Sequence, residues 1–466
     1  MNVQLFLVIA AFAFFAKLTV VLIKWIRSPL RSVPGPPLAR LTDLWYLYRV
    51  KQGSFEKVNL QLHERQSSTT PANPTCLMLP SGPNVRYGPN RYSINDAEST
   101  KIIYGRPTQF RKSDWYTAAT PDSRRVNIFA EQDIKRHAYS RRFYSSAYSM
   151  TSLVHYEPYL DECGALFCQR LDEFSKAGIA ADFGHWFQCF AFDAIAMMTY
   201  GKRLGFLDRG KDISNVMKNI HMALVHASLV GVFPSLQKYA MVLLSVFERF
   251  FGDGSFTFVQ NFTQKIIDAE RASPKLVVDV RGQEDGAAAK ESFLTKFLAK
   301  HSNDPNFTNE YVLAGCAGNM FAGSDTTGLS LSAILHNLLK SPESMRKLRQ
   351  EIDEFTSRGE LSEAPTFKES QRMPYLRAVI KEALRVHPAV GLPLERVVPE
   401  GGASIGGRFF PEGAVVGINS WVQHRDKVSF GDDADHFRPD RWLVSDETKL
   451  SMMNRNWTPV QPRKRN

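Results

Sequence analysis

At 466 residues the chain exceeds a single small core, and with 44% hydrophobic and 23% charged residues it has the composition of a globular protein. The balance is basic, +11 at pH 7, but Arg124-Arg125, Lys135-Arg136 and Arg141-Arg142 stand among acids with no interleaved aromatic tract. That argues against nucleic-acid binding and leaves a solvated basic surface or an anionic membrane. Five cysteines, odd in number and without a CxxC, imply neither a disulfide framework nor a zinc site and suit a reducing compartment.

"VQLFLVIAAFAFFAKLTVVLI", Val3 to Ile23, is about the length that spans a bilayer. A cleaved signal peptide competes, because the unbroken apolar run ends at Ala16, before Lys17. No positive charge precedes the run, whereas Lys24, Arg27 and Arg31 follow it. The pattern therefore predicts a single-pass anchor over residues 1–23 with the rest of the chain cytosolic. Residues 24–37 read as a basic hinge stiffened by Pro34, Pro36 and Pro37 around Gly35. Residues 38–466 form the remaining domain, interrupted over 65–81 by "RQSSTTPANPTCLMLPS", a Ser/Thr/Pro-rich stretch without a period.

Further on, "NVRYGPNRYSI" and "GASIGGRFFPEGAVVGINSW" read as short strands with turns at Gly-Pro-Asn, Gly406-Gly407 and Pro411-Glu412-Gly413. "AEQDIKRHAYSRRFYSSAYS" is a basic helical segment, residues 152–200 carry helical apolar spacing, and "PESMRKLRQEIDEF" starts a helix after a Ser-Pro pair. "NEYVLAGCAGNMFAGSDTTGLSLSAILHNLLKSP" reads as one helix of about 30 residues. The fold class expected is mainly α with small β-sheets, not a doubly wound parallel sheet.

That long helix carries two glycines, an acid and adjacent threonines near its middle. Gly323 removes bulk where a ligand approaches the backbone, Thr326 supplies a hydroxyl that donates and accepts, and Asp325 can relay protons. The bland alternative is a kink whose hydroxyls bond their own helix. In "PYLRAVIKEALRVHP", Glu382 and Arg385 are three apart and face one side of a helix; on a surface such a pair is worth little. Arg441 lies in the turn-like "FRPDRW", His137 and Arg141 are one turn apart on the basic helix, and Arg396 stands alone in "LPLERVVPEGG". Each by itself fits a solvated face. "GASIG" matches the G-x-S-x-G pattern with Ser404 as nucleophile, the remote alternative of a serine hydrolase, but turn and strand residues follow where that motif needs a helix.

In this order and spacing, the array resembles the cytochrome P450 family of haem-thiolate monooxygenases. "AGSDTT" is similar to its oxygen-activation motif, "EALR" to its ExxR, "FRPDRW" to its PERF-type segment and "HAYSR" to its haem-propionate helix. "FDAIAMMTYGKRLGFLDRG" and "GSFEKVNLQLH" resemble the fungal, pisatin demethylase-like branch, associated with tailoring of secondary metabolites and detoxification of plant defence compounds. The resemblance implies a P450 fold, haem as cofactor, NADPH through a partner reductase and a lipophilic substrate. It implies an endoplasmic reticulum membrane protein with its domain on the cytosolic side. By residue it implies Gly323, Asp325 and Thr326 at the oxygen pocket, a structural triad of Glu382, Arg385 and Arg441, and His137, Arg141 and Arg396 on the haem propionates.

Two departures from the family's pattern stand out. Residues 65–81 intervene where the family runs almost directly from helix to strand, with the look of untranslated sequence. After Trp442 the family gives a Phe-Gly…Cys-x-Gly loop whose cysteine ligates iron, whereas here "LVSDETKLSMMNRNWTPVQPRKRN" follows and no cysteine comes after Cys316. With no metal ligand in place, the expectation is a truncated and inactive member as written. The alternative is an active enzyme whose true C-terminus is lost through a gene-model error.

Overall fold

The computed structural model describes residues 26–67, 83–105, 107–120, 126–242, 255–272 and 291–459, with single positions 12, 19 and 23 ahead of them. Apart from those three positions, the expected anchor lies outside the described residues, as does most of the 65–81 stretch. Among the described residues no single helix is long and apolar enough to cross a membrane. The chain divides into two compact units, one of Met1–Ser113, Val390–Asp435 and Ser451–Asn466, the other of Asp114–Ala389 and His436–Leu450.

The first unit holds helices α1 (Leu44–Lys51), α2 (Phe55–Ser67) and α3 (Ala97–Tyr104). Its strands are β1 (Asn84–Gly88), β2 (Arg91–Ile94), β3 (Arg111–Lys112), β4 (Arg396–Val397), β5 (Ala403–Ile405), β6 (Arg408–Phe410) and β7 (Val415–Ile418). One sheet has the order β1-β2-β7-β4-β3, and β5-β6 is a separate hairpin. β2 pairs antiparallel with β1 across the Gly88-Pro89-Asn90 turn and parallel with β7, Tyr92 opposite Val416. Every residue of β1 and β2 is buried, so both faces are covered. On one, Tyr87 meets Tyr46 edge-on at 4.9 Å between centroids; on the other, Tyr92 meets Phe410 at 5.2 Å. The β5–β6 turn uses Gly406 and Gly407 at φ +52° and +71°, a left-handed pair that only glycine adopts cheaply. Ser404 therefore sits exposed on β5, opposite Phe409 in a hairpin, and no helix follows it. That removes the hydrolase alternative.

The second unit is helical. Its main elements are α4 (Ile134–Tyr144), α5 (Glu157–Ala177), α6 (Phe183–Tyr200), α7 (Val216–Val230), α8 (Ser255–Ala272) and α9 (Phe293–Asn303). After them come α10 (Asn309–Gly323), α11 (Asp325–Lys340), α12 (Pro342–Ser357) and α13 (Pro374–Val386). The helical spacing over 152–200 resolves into a short turn of helix, α5 and α6. Gly178 at φ +65° closes α5, and the Asp182 carboxylate opens α6 by accepting from His185 N at 3.2 Å. Tyr144, Phe192, Tyr200, Phe293, Phe297 and Met320 anchor one continuous core among these helices. Expected as mainly α with small sheets, the fold is that.

One expectation is corrected. The rod expected over 309–340 is two helices, which meet at Ser324 with φ −85° and ψ −71°. The cause is local competition for carbonyls. Ser324 Oγ donates to the Met320 carbonyl at 2.7 Å and Thr326 Oγ1 to the Ala322 carbonyl at 2.6 Å, so side-chain hydroxyls engage both carbonyls at the joint.

Candidate functional site

Gly323, Asp325 and Thr326 fall together at this joint. Ser324 is fully buried, Asp325 half-buried and Thr326 exposed, so the joint runs from core to surface within three residues. Asp325 Oδ1 accepts from Gln188 Nε2 of α6 at 2.7 Å. Burial pushes the Asp325 carboxyl above its ordinary range, against the pull of the Gln188 bond and the His221 charge. Such a group takes up a proton more readily than a surface carboxylate, and the neighbouring hydroxyl both donates and accepts. Gly323 has a packing role as well, since a Cβ there would stand 2.8 Å from the Ile195 side chain of α6.

The second constellation is wholly buried. Glu382 and Arg385 are 0% exposed and Arg441 1%. The helical spacing of α13 sets Glu382 beside Arg385, and a 3-10 turn at Pro439–Leu443 delivers Arg441 and Trp442. Glu382 Oε1 accepts from Arg385 Nη2 at 2.8 Å, Arg441 Nε at 2.8 Å and the Arg438 backbone N–H at 2.9 Å. Its Oε2 accepts from Arg385 Nε at 2.8 Å and Trp442 Nε1 at 2.9 Å. Both guanidiniums also donate to the His436 carbonyl, at 2.9 and 3.2 Å, which offsets the second positive charge. The three residues singled out in the sequence are thus one cluster. Trp442 and the His436 carbonyl were missed; the tryptophan directly after Arg441 was the available signal for the first, and a carbonyl leaves none.

His137, half-buried, and Arg141, exposed, are one turn apart on α4, whose N-terminus is capped by Asp133. In the first unit Arg396 is 7% exposed, its guanidinium 5.1 Å from the centre of the Tyr104 ring and its Nη1 2.8 Å from the Glu395 carbonyl. Tyr104 is itself fixed: its hydroxyl donates to the Leu394 carbonyl at 2.6 Å and accepts from Ile418 N at 2.9 Å. Glu395 is buried and takes Tyr87 at 3.0 Å, Ser113 at 2.6 Å and Arg91.

The donor set decides which prosthetic group fits. Cations able to hold an anionic edge are present, as is the acid–hydroxyl pair. Three of the four described cysteines are buried where a thiolate is disfavoured. Cys163, Cys189 and Cys316 lie in one apolar cluster, where burial pushes the first two thiols up to about 12 and the third upward as well. Cys168 is exposed on α5. Cys76 lies outside the described residues.

The family model described as cytochrome P450 matches residues 88–457. A cytochrome P450 monooxygenase of Aspergillus terreus is 37% identical over 437 residues, 92% of this chain and 85% of the relative. Pisatin demethylase of Fusarium vanettenii is 34% identical over 423 residues, 91% of this chain and 77% of the relative. A cytochrome P450 monooxygenase of Emericella nidulans is 34% identical over 433 residues, 92% and 82%.

Proposed function

Because this chain belongs to the cytochrome P450 family, we propose that it serves the oxidation of a lipophilic small molecule in fungal secondary metabolism or detoxification. The observation that carries the reading is the joint at Ser324, which presents a half-buried acid next to an exposed hydroxyl. Haem is the family's cofactor and, when bound, supplies the oxygen-activating chemistry. His137, Arg141 and Arg396 are the residues that would hold its propionates. Asp325 would hold a proton on its carboxyl and Thr326 Oγ would pass one on; Glu382, Arg385 and Arg441 keep α13 and the following turn in register. Electrons would come from NADPH through a partner reductase. Residues 3–23 would anchor the chain in the endoplasmic reticulum membrane with the domain cytosolic, a reading supported by Lys24, Arg27 and Arg31. Glycan found at Asn261 or Asn306 in cells would overturn that topology.

The 466 residues by themselves are read as inactive, because the described cysteines are buried where a thiolate is disfavoured or exposed on α5. The alternative is an active enzyme whose thiolate comes from sequence outside them. A ferrous–CO difference spectrum separates the two. The 466-residue chain is expected to give no thiolate-type Soret band, and the same chain fused to a cysteine-loop segment of the family is expected to give one. A thiolate band from the unfused chain would sink the inactive reading. Failure of the fusion to bind haem or oxidise any substrate would sink the enzymatic one.

A further inference from the structure

Helix α6 carries none of the candidate site residues singled out in the sequence, yet it reaches the joint between α10 and α11. Two glycines permit the approach. A Cβ on Gly323 would stand 2.8 Å from Ile195 Cδ1, and one on Gly328 would stand 3.1 Å from Gln188 Cα. The first separation is closer than carbon atoms pack and the second is very tight, so α6 lies where it does because both positions lack side chains. The approach sets Gln188 Nε2 2.7 Å from Asp325 Oδ1, a bond between residues 137 apart in the chain. Among the described residues Asp325 Oδ2 has no donor.

The geometry points to Gln188 as the positioning residue of Asp325: its amide pins one carboxylate oxygen from α6 and leaves the other open to a proton or a water. A glutamine suits that task. Its amide donates without charge and does not titrate, so the hold persists whether Asp325 is ionised or not. The Gly328 backbone supplies the reach, since a Cβ there would press on the Gln188 Cα at 3.1 Å. Among the described residues, the titratable group of a neighbouring element whose charge acts on Asp325 is His221, exposed on α7. Burial raises the carboxyl; the Gln188 bond and His221 lower it. The inference rests on the monooxygenase reading for its purpose, but its test does not need bound cofactor or turnover.

The test is the titration of Asp325 in the full 466-residue chain, labelled with 13C at aspartate side-chain carboxyls and followed by NMR, with Asp325→Asn identifying the signal. Gln188→Met keeps the length and apolar bulk and removes the donor. Gln188→Lys keeps a donor at the same reach and adds charge. The expected result is an upward shift of the Asp325 midpoint in Gln188→Met and a midpoint at or below the starting value in Gln188→Lys. An unchanged midpoint in Gln188→Met overturns the proposal. Upward shifts in both variants overturn it as well, because the effect would then follow packing and not the donor. A lost fusion activity would leave either titration outcome standing, so the two failures are told apart.

Discussion

Two carboxylates of the helical unit are treated in opposite ways. Glu382 is sealed from water and saturated by the five donors named above, four of them from three arginines and one from Trp442. Asp325 is half-exposed at a helix joint and has one donor among the described residues, the Gln188 amide. Saturation fixes a group: a carboxylate with both oxygens engaged by several donors acts as a strut. A single neutral donor fixes the position of the group and leaves its protonation open. The contrast separates an acid that maintains the fold from one suited to chemistry.

The largest effect is expected from breaking the strut. Glu382→Ala leaves two guanidiniums buried without their anion and should cost about 3–5 kcal/mol, a large part of a domain's usual net stability of about 5–15 kcal/mol. Thermal unfolding would show this as a melting point collapsed or absent; a melt within a few degrees of the parent would mean that the cluster is not the strut described. Next comes Trp442→Phe. It removes one hydrogen bond to a charged acceptor that keeps its others, so a loss of about 1.5 kcal/mol is expected in denaturant unfolding. The ring that Lys381 Nζ approaches at 4.1 Å is retained in kind, and a loss as large as that of Glu382→Ala would show the tryptophan to be the organising member.

At the joint the order reverses, with small effects on stability and large ones on function. Thr326→Ala should change stability by no more than about 0.5 kcal/mol, since the hydroxyl is exposed and bonded back to the Ala322 carbonyl four residues earlier. In a haem-loaded fusion the same variant should uncouple NADPH consumption from product; unchanged stoichiometry would hand the proton to Asp325 and water. The smallest effect concerns pH. Asp325 has its folded carboxyl raised above the ordinary 3.8, so the fold favours the protonated form. Its contribution is fully present below 3.8 and is lost as pH rises through the raised value. Asp325→Asn should therefore flatten the decline of unfolding free energy across that window. A steeper decline in the variant would reverse the assigned sign.

Much of this was legible in the sequence wherever partners are close in the chain. The i,i+3 spacing of Glu382 and Arg385, the Gly-Pro-Asn and Gly-Gly turns and the helix starting after Ser341-Pro342 all appear as read. The joint at Ser324 was not the expectation, only its alternative of a kink with self-bonded hydroxyls, because back-bonding of a serine and a threonine to Met320 and Ala322 is a choice among rotamers that composition leaves open. Nor was the partner of Asp325. Gln188 arrives from α6 because Gly323 and Gly328 admit that helix, and a glycine in a sequence does not say what fills the space it leaves. Trp442 was in view beside Arg441, yet an aromatic after a cation reads first as packing; only the fold shows its N–H spent on Glu382.

The parallel pairing of β2 with β7 bears on how the protein is made. Val416 comes 324 positions after the Tyr92 it faces. At ribosomal speeds of about 5–20 residues per second, β2 waits roughly 16–65 s for that neighbour. Throughout the interval β1 covers one of its edges and the other, with its apolar side chains, is bare: a template for any other nascent strand. The helical stretch between them is synthesised in the meantime. A ribosome stalled before codon 415 should thus release chains that cluster on chaperones, whereas one stalled after 418 releases chains able to close the sheet.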